Sequence, residues 1–470
     1  MPAPDPSGRR GHPRLVLLVV GLGTFLGAAQ GSTVNLALPD IGRDLGIAID
    51  LTGWVVSAFL LAVTVLLLVA GRASDLLGHR KVYLVGQLLF GLASLVAGLC
   101  DGIGTLIAAR LVQGCGGAMV MATGPALLTT SFPPSQRGRA LGMLATATYT
   151  GLTIGPPIGG WIVAQFSWRW VFFLNLPVAL LITALGWLYL PRAVRRRAVP
   201  FDWGGAAALV LGLPLLLVAL AQGERWGWGS ELTLTCAAAG GLLVALFVIL
   251  QRRGSSPLLD FGLFRSRVFT GAVLSALGNY VALFIPIILL PFYLIEALDV
   301  TPSRAGLLLS AQPIMMAVVT SPSGRLSDRI GSRGLATGGL LVLAVGLAGL
   351  ATVGPTTSTF VVAAWLAVMG LGTGIFISPN SSALMGAAPP AQQGVAGSVM
   401  AVARSLGMII GVAAATSIYV AAGGQTGRAW IAADYQALRV ALWVAAGVSV
   451  ASAVAAALRG GHSRRDTSTG

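Results

Sequence analysis

"GRASDLLG", residues 71–78, and "GRLSDRIG", residues 324–331, write the same short charged turn twice in a chain that is otherwise mostly apolar. Both read Gly-Arg-x-Ser-Asp-x-x-Gly, stand 253 residues apart, and sit between long hydrophobic runs. Of the 470 residues, 56% are hydrophobic and only 10% are charged, whereas soluble domains carry about a quarter charged residues. Apolar stretches of roughly 18 residues or more recur along the chain, each long enough to cross a bilayer as a helix. The expected class is therefore an all-α membrane protein.

Fourteen apolar segments can be drawn between about residue 15 and residue 458. With the N-terminus inside, an even count puts both termini in the cytoplasm. The net charge is +15, from 30 basic and 15 acidic residues. Nucleic-acid binding is one reading of such a balance, and topology is the other, because basic residues collect in cytoplasmic loops. Threading the segments leaves six basic residues outside, at Arg43, Arg169, Arg225, Arg304, Arg428 and Arg439. Arg110 and Arg404 fall within helices, and the remaining 22 of the 30 are cytoplasmic. That asymmetry accounts for the basic charge without nucleic acid.

Both octets fall on the cytoplasmic side, after the second and the tenth segments. If the helix pair at about 202–251 is an insertion, the repeat offset shrinks to about 203 residues, the length of a six-helix bundle. The expected organisation is a tail at 1–14, a six-helix bundle at 15–198, two inserted helices at 199–254, a second bundle at 255–458 and a tail at 459–470. Parallel repeats of this kind are a common plan for secondary transporters, with substrate bound between the halves near mid-membrane.

Several stretches carry a physical reading of their own. In the first octet Gly71 and Gly78 permit a tight turn, and Asp75 stands where a carboxylate meets the positive end of a helix dipole. Arg72, Arg80 and Lys81 supply cations for acids or helix C-termini, and Gly324, Arg325 and Asp328 repeat part of the pattern. A loop that only sets topology would look much the same. "GLTIGPPIGG", residues 151–160, places Gly151, Gly155 and Gly159 at spacing four, a ladder that lets helices approach closely. Gly160 extends the smooth face, while Pro156 and Pro157 remove backbone donors and bend the helix. Arg110 and Arg404 are costly in a membrane, about 2.5–3.5 kcal/mol each on insertion scales, and so mark a cavity or a partner.

These residues resemble the major facilitator superfamily, and within it the fourteen-helix drug:proton antiporter family. "GRASDLLGHRK" looks like the signature loop between the second and third helices, and "AARLVQGCGGA" (108–118) like the fourth-helix motif built around an embedded arginine. "GLTIGPPIGG" is similar to the fifth-helix motif of exporters, and "WRWVFFLNLP" (168–177) and "PLLDFGLFRSRVF" (257–269) to further family segments. The resemblance spans about residues 15–458. It implies an alternating-access exporter of drugs, antibiotics or secondary metabolites, driven by protons and working as a monomer, with the octets as cytoplasmic latches. It implies no cofactor and no metal.

One departure bears on the mechanism. "QGSTVNLALPDI" (30–41) resembles a family stretch that begins with an aspartate tied to proton coupling, and here that position is Gln30. An amide cannot titrate, and no acid falls near mid-membrane, so the candidate proton carriers are the peripheral Asp40 and Glu296. A cavity with two arginines and no acid is expected to favour neutral or anionic substrates. Polar residues expected to line it are Gln30, Asn35, Gln113, Tyr149, Asn279, Gln312 and Asn380. A proton-independent facilitator or importer of a metabolite is the rival reading. Cys100, Cys115 and Cys236 have no metal-ligand spacing, and His12, His79 and His462 lie in tails or a loop. With no catalytic constellation in view, an enzyme is not expected.

Overall fold

The computed structural model describes residues 13–133, 136–191, 202–227, 229–253, 261–389, 392–426, 428 and 430–459. The expected tails and the expected bundle boundaries at 198/199 and 254/255 lie almost wholly outside these residues. The described chain is helical, with no strand. Its helices are α1 (Pro13–Leu45), α2 (Ile49–Leu77), α3 (His79–Gly98), α4 (Ile103–Ser131), α5 (Arg137–Gln165), α6 (Trp170–Phe173), α7 (Asn175–Tyr189) and α8 (Trp203–Trp226). They continue as α9 (Glu231–Arg253), α10 (Arg267–Phe292), α11 (Pro302–Leu309), α12 (Ala311–Ile330), α13 (Ser332–Leu350), α14 (Thr359–Ala387), α15 (Gln393–Ala421) and α16 (Ala432–Leu458). A 3-10 turn at Phe261–Arg265 precedes α10, and a π-helical turn at Tyr293–Ala297 follows it.

Among the described residues, twelve helical segments are long and apolar enough to cross a membrane. Three of them join neighbouring elements: α6 with α7, α10 with its π turn, and α11 with α12. Two segments counted from the sequence are not among these twelve. Helix α5 has 29 residues, but its glycines, threonines, arginines and paired prolines dilute its hydropathy. Helix α8 has 24 residues, of which Trp203–Ala219 is the described apolar stretch.

Contacts divide the chain into two compact units. The first holds residues up to Val210 together with Val300–Ser310, and the second holds Leu211–Asp299 and Ala311 onward. In the first, α1 packs on α5 and α7, α4 packs on α2 and α3, and α3 also packs on α7. Its core is built from Val16, Val19, Leu26, Tyr83, Phe90, Leu127 and Ile182. In the second, α10 packs on α15 and α16, α14 packs on α12 and α13, and α13 also packs on α16. The same pairing plan therefore occurs in each unit.

Glycine sets the closest approaches, since lipid is as apolar as leucine and tight packing must supply the attraction between helices. A Cβ at Gly116 of α4 would lie 2.6 Å from the carbonyl oxygen of Gly86 in α3, and one at Gly86 would lie 2.9 Å from that of Gly116. In the second unit Gly339 of α13 and Gly372 of α14 face each other in the same way, each 2.7 Å from the other's carbonyl oxygen. Gly86 and Gly339 are again 253 residues apart. On α5, Cβ atoms at Gly151, Gly155 and Gly159 would run into α1, at the Phe25 and Ala29 carbonyl oxygens and at Thr33. The ladder read from the sequence is the α1–α5 seam.

Candidate functional site

The two octets fold into one local structure. Gly78 ends α2 and starts α3 with φ +95°, and Gly331 does the same between α12 and α13 with φ +90°. Ser74 Oγ donates to the Gly71 carbonyl at 2.6 Å, and Ser327 Oγ donates to that of Gly324 at 2.9 Å. The Gly78 and Gly331 amides each donate back to the serine carbonyl four residues earlier, at 2.9 Å. Arg72 and Asp75 form an ion pair at 3.8 Å, and His79 Nε2 also lies 3.8 Å from Asp75 while its Nδ1 meets Ser74 Oγ at 2.9 Å. Arg80 donates to the Trp187 carbonyl near the end of α7 and stacks on that tryptophan at 5.3 Å. This ties the start of α3 to a helix C-terminus within the first unit. Lys81 and Arg325 are exposed, and the Asp328 side chain lies outside the described residues.

A continuous hydrogen-bonded chain occupies the interior of the first unit. Arg110, 1% exposed on α4, donates from Nε to the Val55 carbonyl at 2.7 Å and from Nη1 to Gln113 Oε1. Its guanidinium stacks on Phe59 at 4.5 Å and lies 5.9 Å from the Phe172 ring. Gln113 Nε2 donates to Ser94 Oγ at 2.9 Å, and Asn175 Nδ2 donates to the same oxygen at 2.8 Å. Asn175 Nδ2 also donates to Gln30 Oε1 at 2.6 Å, and Ser94 Oγ donates to the Phe172 carbonyl at 3.0 Å. Four helices, α1, α3, α4 and α7, supply these side chains, and α2 and α6 supply carbonyls. Among the described residues every partner of Arg110 is neutral. The planar fork and the aromatic faces hold a charge that a lone ammonium could not hold as well.

The structure thus joins Arg110, Gln113, Asn175 and Gln30, and it adds Ser94. Ser94 carries no motif of its own. Its signal is a single hydroxyl seven residues, two helical turns, after Gln87 in an apolar helix. Gln30 Nε2 is buried with no partner among the described residues, as is Asn35 Oδ1 on the same helix. Tyr149 and Arg404 are half-buried, on α5 and α15.

In the second unit Asn279 is fully buried with neither amide atom partnered among the described residues, and the same holds for Gln312 Nε2. Asn380 belongs elsewhere. Its Oδ1 accepts from Arg459 Nη1 at 2.7 Å and from Ser275 at 3.4 Å, and its Nδ2 donates to the Ala272 carbonyl at 2.9 Å. Arg459, 2% exposed, also donates to the Ser332 carbonyl at 2.8 Å. It stands one residue past α16, outside the membrane-spanning stretch, and burial followed by the neighbouring Arg333 lowers its pKa to about 10.

The candidate acids both sit at helix ends. Glu296 lies on the π turn, accepting from Trp430 Nε1 at 3.4 Å, beside a packed group of Tyr293, Tyr419, Trp430 and Tyr435. Asp40 lies near the Leu45 end of α1, with Oδ1 3.2 Å from Arg43 Nη2. Asp44, one turn on, accepts from Trp168 Nε1 at 2.9 Å and from Arg169 Nη1 at 2.6 Å. Pro156 and Pro157 stand inside α5, where Gly160 and the Pro156 carbonyl receive α11: Ser303 Oγ donates to Gly160 O at 3.3 Å, and a Cβ at Gly306 would strike Pro156 O. Among the described residues no group of three His, Cys, Asp or Glu side chains is placed to hold a metal.

Known proteins share this arrangement. A peptide transporter, POT in complex with sulfate, has the same fold, with a TM-score of 0.70 at 14% identity over 93% of this chain and 93% of that one. The puromycin resistance protein pur8 of Streptomyces alboniger is 34% identical over 96% of this chain and 91% of its own length. The multidrug resistance protein Stp of Mycobacterium tuberculosis is 33% identical over 87% of this chain and 76% of its own. The riboflavin transporter RibZ of Clostridioides difficile is 29% identical over 86% of this chain and 88% of its own. The Major Facilitator Superfamily profile matches twice, at residues 20–278 and 268–469. With twin turns, a matching packing plan in each unit and that double match, the chain is a multi-pass plasma-membrane protein belonging to the Major Facilitator Superfamily.

Proposed function

We propose that this protein exports small amphipathic organic molecules of the antibiotic class by alternating access, coupled to protons. The observation that carries the reading is its 34% identity to a puromycin resistance protein across 96% of the chain. A multidrug resistance relative at 33% supports the same class. The substrate is neutral or anionic, because the interior of the first unit holds a buried arginine among neutral partners. In this reading α5 and α8 also cross the bilayer, giving fourteen spans with both termini in the cytoplasm. Residues 15–198 and 255–458 form the two halves, and 199–254 forms an inserted pair. The separate profile matches to each half of the chain support that division. The protein works as a monomer in the lipid bilayer.

Expression in a drug-sensitive host, followed by dye efflux with and without an uncoupler, tests the proposal. Accumulation is expected to fall on expression and to recover when the uncoupler is added. The riboflavin transporter relative favours a second reading, a facilitator of a metabolite. Movement that is only downhill and indifferent to the uncoupler selects that one.

A further inference from the structure

At the Leu45 end of α1 the two carboxylate oxygens of Asp40 have different surroundings. Oδ1 is paired with Arg43 at 3.2 Å, while Oδ2 is buried and has no hydrogen-bond partner among the described residues. Asp40 lines a cleft together with Arg43, Asp44, Phe166 and Trp168, so the side chain is enclosed yet reachable from water. A carboxylate oxygen taken out of water and given no donor is an incomplete site, and a proton is the smallest ligand that completes it.

Arg169 pairs with the two other acids at this end of the unit. Asp44 is held by Trp168 and Arg169, and Asp101 is almost fully exposed, 3.5 Å from Arg169. Arg304 lies on α11, which packs against α1 and α5. Glu296, the other peripheral candidate, already accepts from an indole. Among the described acids, Asp40 alone combines a cleft with a buried oxygen that lacks a donor.

Its helix also connects that cleft to the rest of the unit. Thr33 Oγ1 donates to the Gly155 carbonyl of α5 at 2.9 Å, and Leu36 lies against the glycines where α5 and α11 meet. Further along, Gln30 enters the Arg110 chain through Asn175. Ten residues of helix, about 15 Å, separate Asp40 from Gln30. Neutralising Asp40 would therefore act on a helix that touches both the α5 seam and the buried network.

We propose that Asp40 is the group that takes up and releases the coupling proton, through this cleft. The inference rests on the coupled-exporter reading above. In the step, a hydronium ion in the cleft gives up a proton at the part of the Asp40 side chain that is exposed, and the carboxyl group carries it as an O–H bond on Oδ2. Arg43 stays on Oδ1, and the same bond breaks to return the proton to water.

Two measurements on the full-length protein test this. Infrared difference spectra between acidic and neutral pH are expected to show the carbonyl stretch of a protonated carboxyl group. That band should be missing from Asp40→Asn and shifted in Asp40→Glu. In proteoliposomes with an imposed pH gradient, carboxyfluorescein and ethidium serve as anionic and cationic probes. Asp40→Asn should lose at least about ten-fold of gradient-driven movement while keeping downhill exchange, and Asp40→Glu should keep both. If wild-type movement ignores the gradient, the coupled reading fails and this inference falls with it. If the wild type responds and Asp40→Asn responds equally, or if the band persists in Asp40→Asn, only the assignment to Asp40 is overturned.

Discussion

Gly78 and Gly331, 253 residues apart, hold the same left-handed backbone, with φ +95° and +90°, and each is both the last cap of one helix and the first of the next. With ψ of 129° and 157° beside these φ values, the conformation is one that a Cβ strains, at about 1–3 kcal/mol for a non-glycine residue. Gly78→Ala and Gly331→Ala should each lower stability by that amount, read as a drop in thermal midpoint in detergent. Gly71→Ala is the control from the same octet. Its Cβ would meet only the Ala122 methyl at 4.0 Å, so its stability should change little.

The α1–α5 seam predicts a graded series. A Cβ at Gly155 would strike the Ser32 hydroxyl and lie 2.8 Å from the Ala29 carbonyl oxygen, and backbone cannot step aside as a side chain can. Gly155→Ala should cost about 1–3 kcal/mol, and Gly155→Leu should abolish transport while leaving insertion detectable. On the same helix Gly142 has open space around its Cα. Gly142→Ala should be neutral, or stabilising by up to about 1 kcal/mol from helix propensity. Transport and thermal midpoint, measured together across the three variants, check the order.

Arg110 donates from two different nitrogens, Nε to a carbonyl and Nη1 to an amide, while its plane lies over a phenyl ring. Lysine keeps the charge but cannot serve both acceptors or stack in that way. Arg110→Lys is therefore expected to reduce drug resistance at least about ten-fold at equal expression. Asn175→Leu leaves Gln30 Oε1 buried without its donor and should cost about 1–3 kcal/mol. Gln30→Leu, which removes the acceptor and the unpartnered Nε2 together, should cost less. Thermal midpoints of the two variants decide the order.

The turns and the smooth face of α5 are legible in the sequence because each follows from residues close along the chain. Gly78 at the end of the octet and glycines at spacing four need only local geometry to be read, whereas Gly71 and Asp75, expected in the turn and at the start of the next helix, lie inside α2 near its C-terminal end. The membrane class is equally plain from composition. The Gly86–Gly116 and Gly339–Gly372 contacts are not, because the chain has 63 glycines and only the packing of separate helices shows which ones touch. Gln30 and Gln113, expected in a substrate cavity, are instead bound to Asn175, Ser94 and Arg110. Gln30 and Asn175 are 145 residues apart, and no periodicity links them. Helix α5 counts as an apolar segment by its length and aliphatic residues, yet its small and polar residues leave it below the hydropathy of the other spans.

Arg459 gives the last test. The sequence places it at the start of a tail, yet it is 2% exposed and reaches across to Asn380 and Ser332. The reason is steric as well as polar: Gly271 on α10 has no Cβ, and one placed there would lie 2.6 Å from the Arg459 Cβ. Ending the chain after Leu458 would withdraw the donor from Asn380 Oδ1 and from the Ser332 carbonyl. A loss of about 1–3 kcal/mol is expected, with Arg459→Met recovering only the part due to packing. The pH dependence has a definite sign. With a folded pKa near 10, below that of a free arginine, the unfolded chain holds the extra proton only between those two values. Wild-type stability should gain from this group as pH rises above about 10, and it should not change on its account through the neutral range. A thermal-midpoint series on wild type and the chain ending at Leu458 should show the two curves parallel near neutrality, and parallel curves above pH of about 10 as well would mean that Arg459 is not buried as a cation.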